Sequence, residues 1–282
     1  MKAMILAAGL GTRLRPLTDD RPKALVTVAG RTLLEITLSR LRAFGVSEVI
    51  VNAHHYADMI ADYLTCNHNF GMRIEVSREQ DLLDTGGGLK KAAHFFLDPG
   101  LLDSGSNSQQ PFIVHNVDVL STIDLGRMMR FHTSQAALAT LAVQDRETSR
   151  PLLFDQRGKL VSRLRKPAVN AEAPDAETPN AEFRQQEHAG EAGQHGYSET
   201  VPIPPSMRLL AFSGIHILSL QIFSKMQDEG AFSIIDAYIQ LAAQGEKILA
   251  FEADEYYWRD LGRPENVTQA GSDLASGIYP AN

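Results

Sequence analysis

The chain has 282 residues, of which 44% are hydrophobic, with one cysteine and a formal charge of −7 at neutral pH. That length suits one large α/β domain with elaborations better than two small ones. The acidic balance argues against a broad nucleic-acid-binding face, lone Cys66 cannot form an internal disulfide, and no secretory h-region or bilayer-length apolar run is present. A cytoplasmic enzyme with neither nucleic acid nor membrane as partner is expected.

Residues 3–8 are small or apolar without interruption, the texture of a strand covered on both faces of a parallel sheet. Gly9 and Gly11 follow, and without Cβ atoms their N–H groups can come close to a phosphate. Arg13, with a planar fork of donors, and Lys23, with a compact charge, can reach the same anion, while Pro16 and Pro22 stiffen the loop. No G-K-[ST] follows the glycines, so this is not a Walker loop; Arg13 and Leu14 stand where a dinucleotide fingerprint needs its third glycine.

Leu33, Leu34, Leu38 and Leu41 recur at helical spacing up to Gly45, and a strand is expected at 48–51. A helix over 56–65, a strand at 73–76, a helix after the glycine triplet 86–88 and a buried strand over 112–117 continue the alternation. They imply a mostly parallel sheet covered on both faces. Ligands in such sheets sit at the carboxyl ends of strands, where the Gly9–Arg13 loop and Asp118 emerge. Beyond residue 135, strands are expected at 136–142, 151–154 and 208–218 and helices at 219–228 and 233–244. Residues 167–205, with six prolines and seven acids, read as a flexible insertion. Arg163, Arg165 and Lys166 before it read as a solvated strand end, Asn52, His54 and His55 as structural residues, and Cys66 as a spectator. Asp118 could hold a metal or cap the next helix, for which Asp124 is a second candidate.

The run Gly9-Leu10-Gly11-Thr12-Arg13, with Pro16, Thr18 and Pro22-Lys23, resembles the signature of sugar-1-phosphate nucleotidylyltransferases, the NDP-sugar pyrophosphorylases. The resemblance implies a Rossmann-like α/β fold with a mostly parallel or mixed sheet and helices on both faces. Residues 1–135 would form a nucleotide-binding half and 136–282 a sugar-binding half of a single domain. It also implies that Arg13, Lys23 and Asp118 are catalytic, and that Leu6, Ala8, Gly9, Gly11, Thr12, Arg13 and Lys23 bind the nucleotide. Glu79, Gly86 and Gly87 would lie against its base and ribose.

His115-Asn116-Val117-Asp118 and Trp258-Arg259-Asp260-Leu261-Gly262-Arg263-Pro264-Glu265 resemble the family's two metal-site segments, so Asp118 and Asp260 are expected to hold Mg²⁺. Arg263 replaces the family's usual threonine, a departure that bears on the local turn. Ser213-Gly214-Ile215-His216 resembles a strand beside the sugar pocket, implying sugar contacts from Asn116, Gly214 and Trp258. Length and the opening residues are similar to short bacterial enzymes that act on N-acetylmuramate 1-phosphate with UTP, and to mannose-1-phosphate guanylyltransferases. UTP with an N-acetylated hexosamine phosphate is therefore the expected pair, for cell-wall sugar-nucleotide synthesis by a monomer or small homo-oligomer. A GTP-dependent mannose enzyme and a non-catalytic NDP-sugar sensor are the alternatives.

Overall fold

The computed structural model describes residues 1–97, 110–164 and 204–279. Residues 167–203 of the expected insertion, together with Arg165 and Lys166, lie outside these. Strand β1 (Lys2–Leu6) sends Ala3 and Ile5 into one core cluster and Met4 and Leu6 into another. Alternate side chains therefore enter cores on opposite faces of the sheet.

A short hairpin, β2 (Thr27–Val28) and β3 (Arg31–Thr32), leads into helix α1 (Leu33–Ala43), with Thr32 as its N-cap: Thr32 Oγ1 accepts from the Glu35 amide at 3.0 Å. The nucleotide half continues with β4 (Glu48–Ala53), α2 (Ala57–Cys66), β5 (Arg73–Arg78), α3 (Asp84–Lys91), α4 (Ala93–Phe96), β6 (Phe112–Asn116), β7 (Val119–Ser121) and α5 (Leu125–Gln135). In the second half come β8 (Ala139–Gln144), β9 (Leu152–Asp155), β10 (Leu160–Arg163), β11 (Met207–Leu218), α6 (Ile222–Lys225), α7 (Ile234–Ala243), β12 (Ile248–Glu252), β13 (Trp258–Asp260) and α8 (Pro264–Ala275). Leucines of α1, Leu125 and Met128 of α5 and Val267 of α8 fill one core; Leu89 of α3 and Ile234, Tyr238 and Leu241 of α7 fill the other. Helices thus cover both faces.

Among the described residues nine strands form one sheet, in the order β10-β9-β11-β6-β1-β4-β5, with β8 on β11 and β12 on β8. The neighbours β6-β1-β4-β5 and the β8–β12 pair are parallel, as the alternation implies. The second half departs from it, because β11 runs antiparallel to β6, β8 and β9, and β10 antiparallel to β9. A 12-residue β11 spans several neighbours, pairing β9 through Met207–Leu210 and β6 through Ile215–Leu218. Its register against β8 shifts between Phe212 and His216, where Gly214 adopts a φ of 73°.

Three further differences from the sequence reading concern single elements. Strands β10, β12 and β13 are short, and their pattern is set by pairing rather than by a long apolar run. The helix expected over 219–228 is reduced to α6. The glycine triplet lies inside α3 rather than before it, because tertiary bonds hold the glycines in place: the Gly86 amide donates to Phe232 O at 2.9 Å, and the Ile234 amide donates to Thr85 Oγ1 at 3.0 Å. A Cβ on Gly86 would fall 2.3 Å from the Phe232 ring, and one on Gly87 would fall 2.1 Å from Gly230 O. A backbone atom cannot yield as a flexible side chain can. Gly87→Ala should therefore lose about 1–3 kcal/mol of stability, read as a lower urea midpoint; an unchanged midpoint would show that the α3–α7 contact is looser than this.

Candidate active site

The loop after β1 is built around two glycines. Gly11 has a φ of 67°, its carbonyl accepts from Thr18 Oγ1 at 2.9 Å, and a Cβ there would sit 3.1 Å from the Thr18 methyl. At Gly9 a Cβ would lie 3.2 Å from Lys23 Nζ, so the lysine passes directly across the glycine. Lys23 follows Pro22, the N-cap of a single 3₁₀ turn, and the Val26 amide closes that turn onto Lys23 O at 3.1 Å. Leu6 and Ala8 are buried beneath the loop, whereas Gly9, Thr12 and Arg13 are exposed on it.

Lys23 Nζ donates to Asp118 Oδ2 at 3.0 Å, with the two side chains 14% and 16% exposed. Burial raises the Asp118 carboxyl's pKa, but the charge and hydrogen bond of Lys23 and the more distant Arg13 outweigh it, so the group lies below its ordinary value. Asp124, not Asp118, caps the following helix: it is the N-cap of α5 and accepts from the Arg127 amide at 2.8 Å. Asp118 is thereby left to the cleft.

Asp260 reaches the same place through a strand pair. β13 runs antiparallel to β7 with Asp260 opposite Val119, and the Leu261 amide donates to Asp118 O at 2.8 Å. Asp260 Oδ1 accepts from the Gly262 amide at 2.7 Å, and Asn266 Nδ2 donates to Asp260 O at 2.8 Å. A Cβ on Gly262 would lie 2.9 Å from Asp260 Oδ1 and 3.1 Å from Arg13 Nη2, so this glycine lets the loop arginine come close to the acid. The unusual Arg263 leaves the turn intact: it is the exposed N-cap of α8, ahead of Pro264, with its guanidinium 3.7 Å from Glu265.

A cleft of about 330 Å³ is lined by Arg13, Asn116, Asp118, Gly214, Trp258 and Asp260. Gly214 is where β11 crowds the acid segment, since a Cβ there would fall 2.8 Å from Val119 and 3.0 Å from Asn116 Nδ2. Trp258 donates from Nε1 to Ser213 O at 2.8 Å, and the Arg146 guanidinium stands 3.6 Å from its ring centre, covering one ring face. Arg146 also donates to Phe212 O at 2.8 Å. Burial lowers its pKa, and the Asp260 charge opposes that shift.

Sequence reasoning missed Arg146, Thr148 and Arg150, which also line the cleft. The signal available was two arginines just past an apolar strand end. Arg163 corrects the solvated-end reading, because it lines the cleft and binds Asp236 of α7 at 2.7 Å.

Of the residues expected at the base and ribose, Glu79 directly follows β5, and Gly86 and Gly87 lie on α3. Glu79 is 5% exposed; its Oε1 accepts from Asn52 Nδ2 at 2.7 Å and its Oε2 from the Leu83 amide at 3.1 Å. Asn52 Oδ1 in turn accepts from the Ala7 amide at 2.7 Å, and His54 Nδ1 meets Glu79 O at 3.0 Å. This buried network ties β1, β4 and the segment before α3 together. Gly86 and Gly87 face Phe232 and Gly230, and a Cβ on Gly88 would fall 2.8 Å from both Asn52 and Glu79. His55 packs on Tyr56 at 4.0 Å, and Cys66 is exposed at the end of α2.

Residues 2–277 match the family described as Nucleotidyl transferase. The chain belongs to this family. Its relatives include an N-acetylmuramate alpha-1-phosphate uridylyltransferase of Caulobacter vibrioides, 32% identical over 97% of this chain and 96% of the relative. A mannose-1-phosphate guanylyltransferase of Mycobacterium tuberculosis is 27% identical over 99% of this chain and 66% of the relative. Among solved structures, HddC from Yersinia pseudotuberculosis, complexed with GMP-PN, superposes with a TM-score of 0.66 at 21% identity, over 97% of this chain and 99% of that one. As a nucleotidyltransferase, the protein gathers its paired charges around the carboxyl ends of β1 and β6, the edge at which ligands bind in such sheets.

Because burial alone would raise the Asp118 carboxyl, removing its cation should expose that effect. In Lys23→Ala the Asp118 pKa should move upward, followed by the ¹³C shift of the labelled carboxyl against pH. An unmoved titration would show that Lys23 does not control the acid.

Proposed function

We propose that this nucleotidyltransferase joins a nucleoside triphosphate to a sugar 1-phosphate, giving an NDP-sugar and pyrophosphate. The observation that carries this reading is one cleft in which two carboxylates, Asp118 and Asp260, meet two loop cations, Arg13 and Lys23. An oxygen of the sugar phosphate attacks the α-phosphorus, its bond to the β-phosphate oxygen breaks, and pyrophosphate leaves with the electron pair. No covalent enzyme intermediate is needed; positioning and charge neutralisation carry the step. Arg13 and Lys23 hold the departing pyrophosphate, while the backbone at Gly9, Gly11 and Thr12, over Leu6 and Ala8, accommodates the triphosphate.

The acid pair suits Mg²⁺. Each carboxylate has one oxygen in a hydrogen bond given above, Asp118 Oδ2 from Lys23 and Asp260 Oδ1 from the Gly262 amide, and both acids line the cleft. A magnesium ion takes one or two carboxylates and completes its shell with phosphate oxygens and water, and Asp118 and Asp260 would supply those two. When bound, the ion reduces the repulsion between the two phosphates. Asn116, Gly214 and Trp258 border the sugar, and Gly86, Gly87 and Glu79 support the base-side wall. We read the chain as one domain, since strands from both halves share a sheet.

Similarity to the uridylyltransferase over nearly the full length of both chains favours UTP with N-acetylmuramate 1-phosphate, and hence cell-wall sugar-nucleotide synthesis in the cytoplasm. No helix among the described residues is long and apolar enough to cross a membrane. Pyrophosphate release across four NTPs and a panel of sugar 1-phosphates should be fastest for that pair. Dominance of GTP with mannose 1-phosphate would transfer the assignment to the guanylyltransferase reading, and binding without turnover for every pair would make the protein a sensor. Lys23→Ala and Asp118→Ala should each lose about 100-fold or more in kcat while remaining folded by circular dichroism. A near-normal rate in either variant would remove that residue from the mechanism.

A further inference from the structure

The cleft is also lined by residues outside the two acid segments: those before β9, the end of β10 and the start of α7, with Leu152 of β9 opposite both Arg163 of β10 and Leu210 of β11. Arg150, Arg163, Ser233 and Ile235 line the cleft there, and none of these strands carries Asp118 or Asp260.

The cations of the cleft differ in how they are matched. Lys23 is paired with Asp118, and Arg13 lies close to Asp260 across Gly262. Arg146 is fixed on the Trp258 ring and the Phe212 carbonyl beside Asp260, and Arg163 is paired with Asp236. Arg150 remains: among the described residues its guanidinium has no carboxylate partner, and its backbone is anchored by its amide donating to Thr148 Oγ1 at 3.2 Å. A guanidinium facing a substrate cleft with its planar donors unspent is suited to a carboxylate.

We infer that Arg150 is a specificity residue that binds a carboxylate borne by the sugar itself, separate from the reacting 1-phosphate. This rests on the reading that the cleft takes a sugar 1-phosphate. On that reading the cations beside Asp118 and Asp260, namely Lys23, Arg13 and Arg146, take the reacting phosphate. That leaves Arg150 for a second anion on the sugar, and the lactyl ether of an N-acetylmuramate carries one. A neutral hexosamine phosphate leaves Arg150 unmatched.

The test uses two sugar 1-phosphates that differ only by that group, N-acetylmuramate 1-phosphate and N-acetylglucosamine 1-phosphate, with the full-length chain and UTP. Arg150→Gln should lower the acidic-to-neutral ratio of kcat/KM by about tenfold or more, with the loss carried mainly by KM for the acidic sugar, and Arg150→Lys should restore part of the ratio. An unchanged ratio, or equal losses on both sugars, would overturn the inference while leaving the transferase reading intact. Failure of the unmodified enzyme to turn over either sugar with any of four NTPs would overturn this inference by removing its substrate, and silence across the whole panel of sugar 1-phosphates would overturn the transferase reading itself.

Discussion

Three ladder positions join Val119–Ser121 to Trp258–Asp260, and the candidate site depends on them. Asp118 and Asp260 are far apart in the chain, yet the antiparallel pair places Asp260 opposite Val119, next to Asp118, and the Leu261 amide bonds back to Asp118 O. The pair forms outside the nine-stranded sheet, as a small two-stranded ribbon over the carboxyl end of β6. A rigid parallel sheet supplies one acid, and a short ribbon brings the second. Gly262 and Gly214 then remove the two Cβ atoms that would force Arg13 from Asp260 and β11 from Asn116.

In this structure several cleft cations already have an acidic neighbour: Lys23 with Asp118, Arg163 with Asp236, Arg13 beside Asp260. Such pairs neutralise the cations of the cleft inside an acidic protein, and those of Lys23 and Arg13 can be exchanged for a substrate anion at modest cost because they are not fully buried. On the proposed reading, the nucleotide takes over Lys23 and Arg13 as the acids turn to a divalent cation.

Much of this was legible in the sequence because local chemistry dictated it. An unbroken apolar run announced β1, helical leucine spacing announced α1, and Gly9, Gly11, Arg13 and Lys23 announced a glycine turn that carries two cations after β1. The second half was harder. β10, β12 and β13 owe their form to partners distant in sequence, and β11 runs antiparallel to β6, β8 and β9, a direction no local pattern encodes. Glu79 shows another limit: only the fold reveals that Asn52 and the Leu83 amide engage both of its oxygens. Arg146 and Arg150 passed unnoticed because a lone basic residue after a strand is ordinarily a solvated one.

The central claim is that the cleft transfers the nucleotidyl group to the sugar phosphate rather than binding or hydrolysing the nucleotide. Incubation with α-³²P-labelled UTP and unlabelled N-acetylmuramate 1-phosphate, followed by separation of products, tests it most directly. The account predicts that the label appears in the sugar nucleotide, in equal amount to an unlabelled pyrophosphate product. Label recovered only as nucleoside monophosphate, or remaining in bound, unreacted UTP, would contradict it.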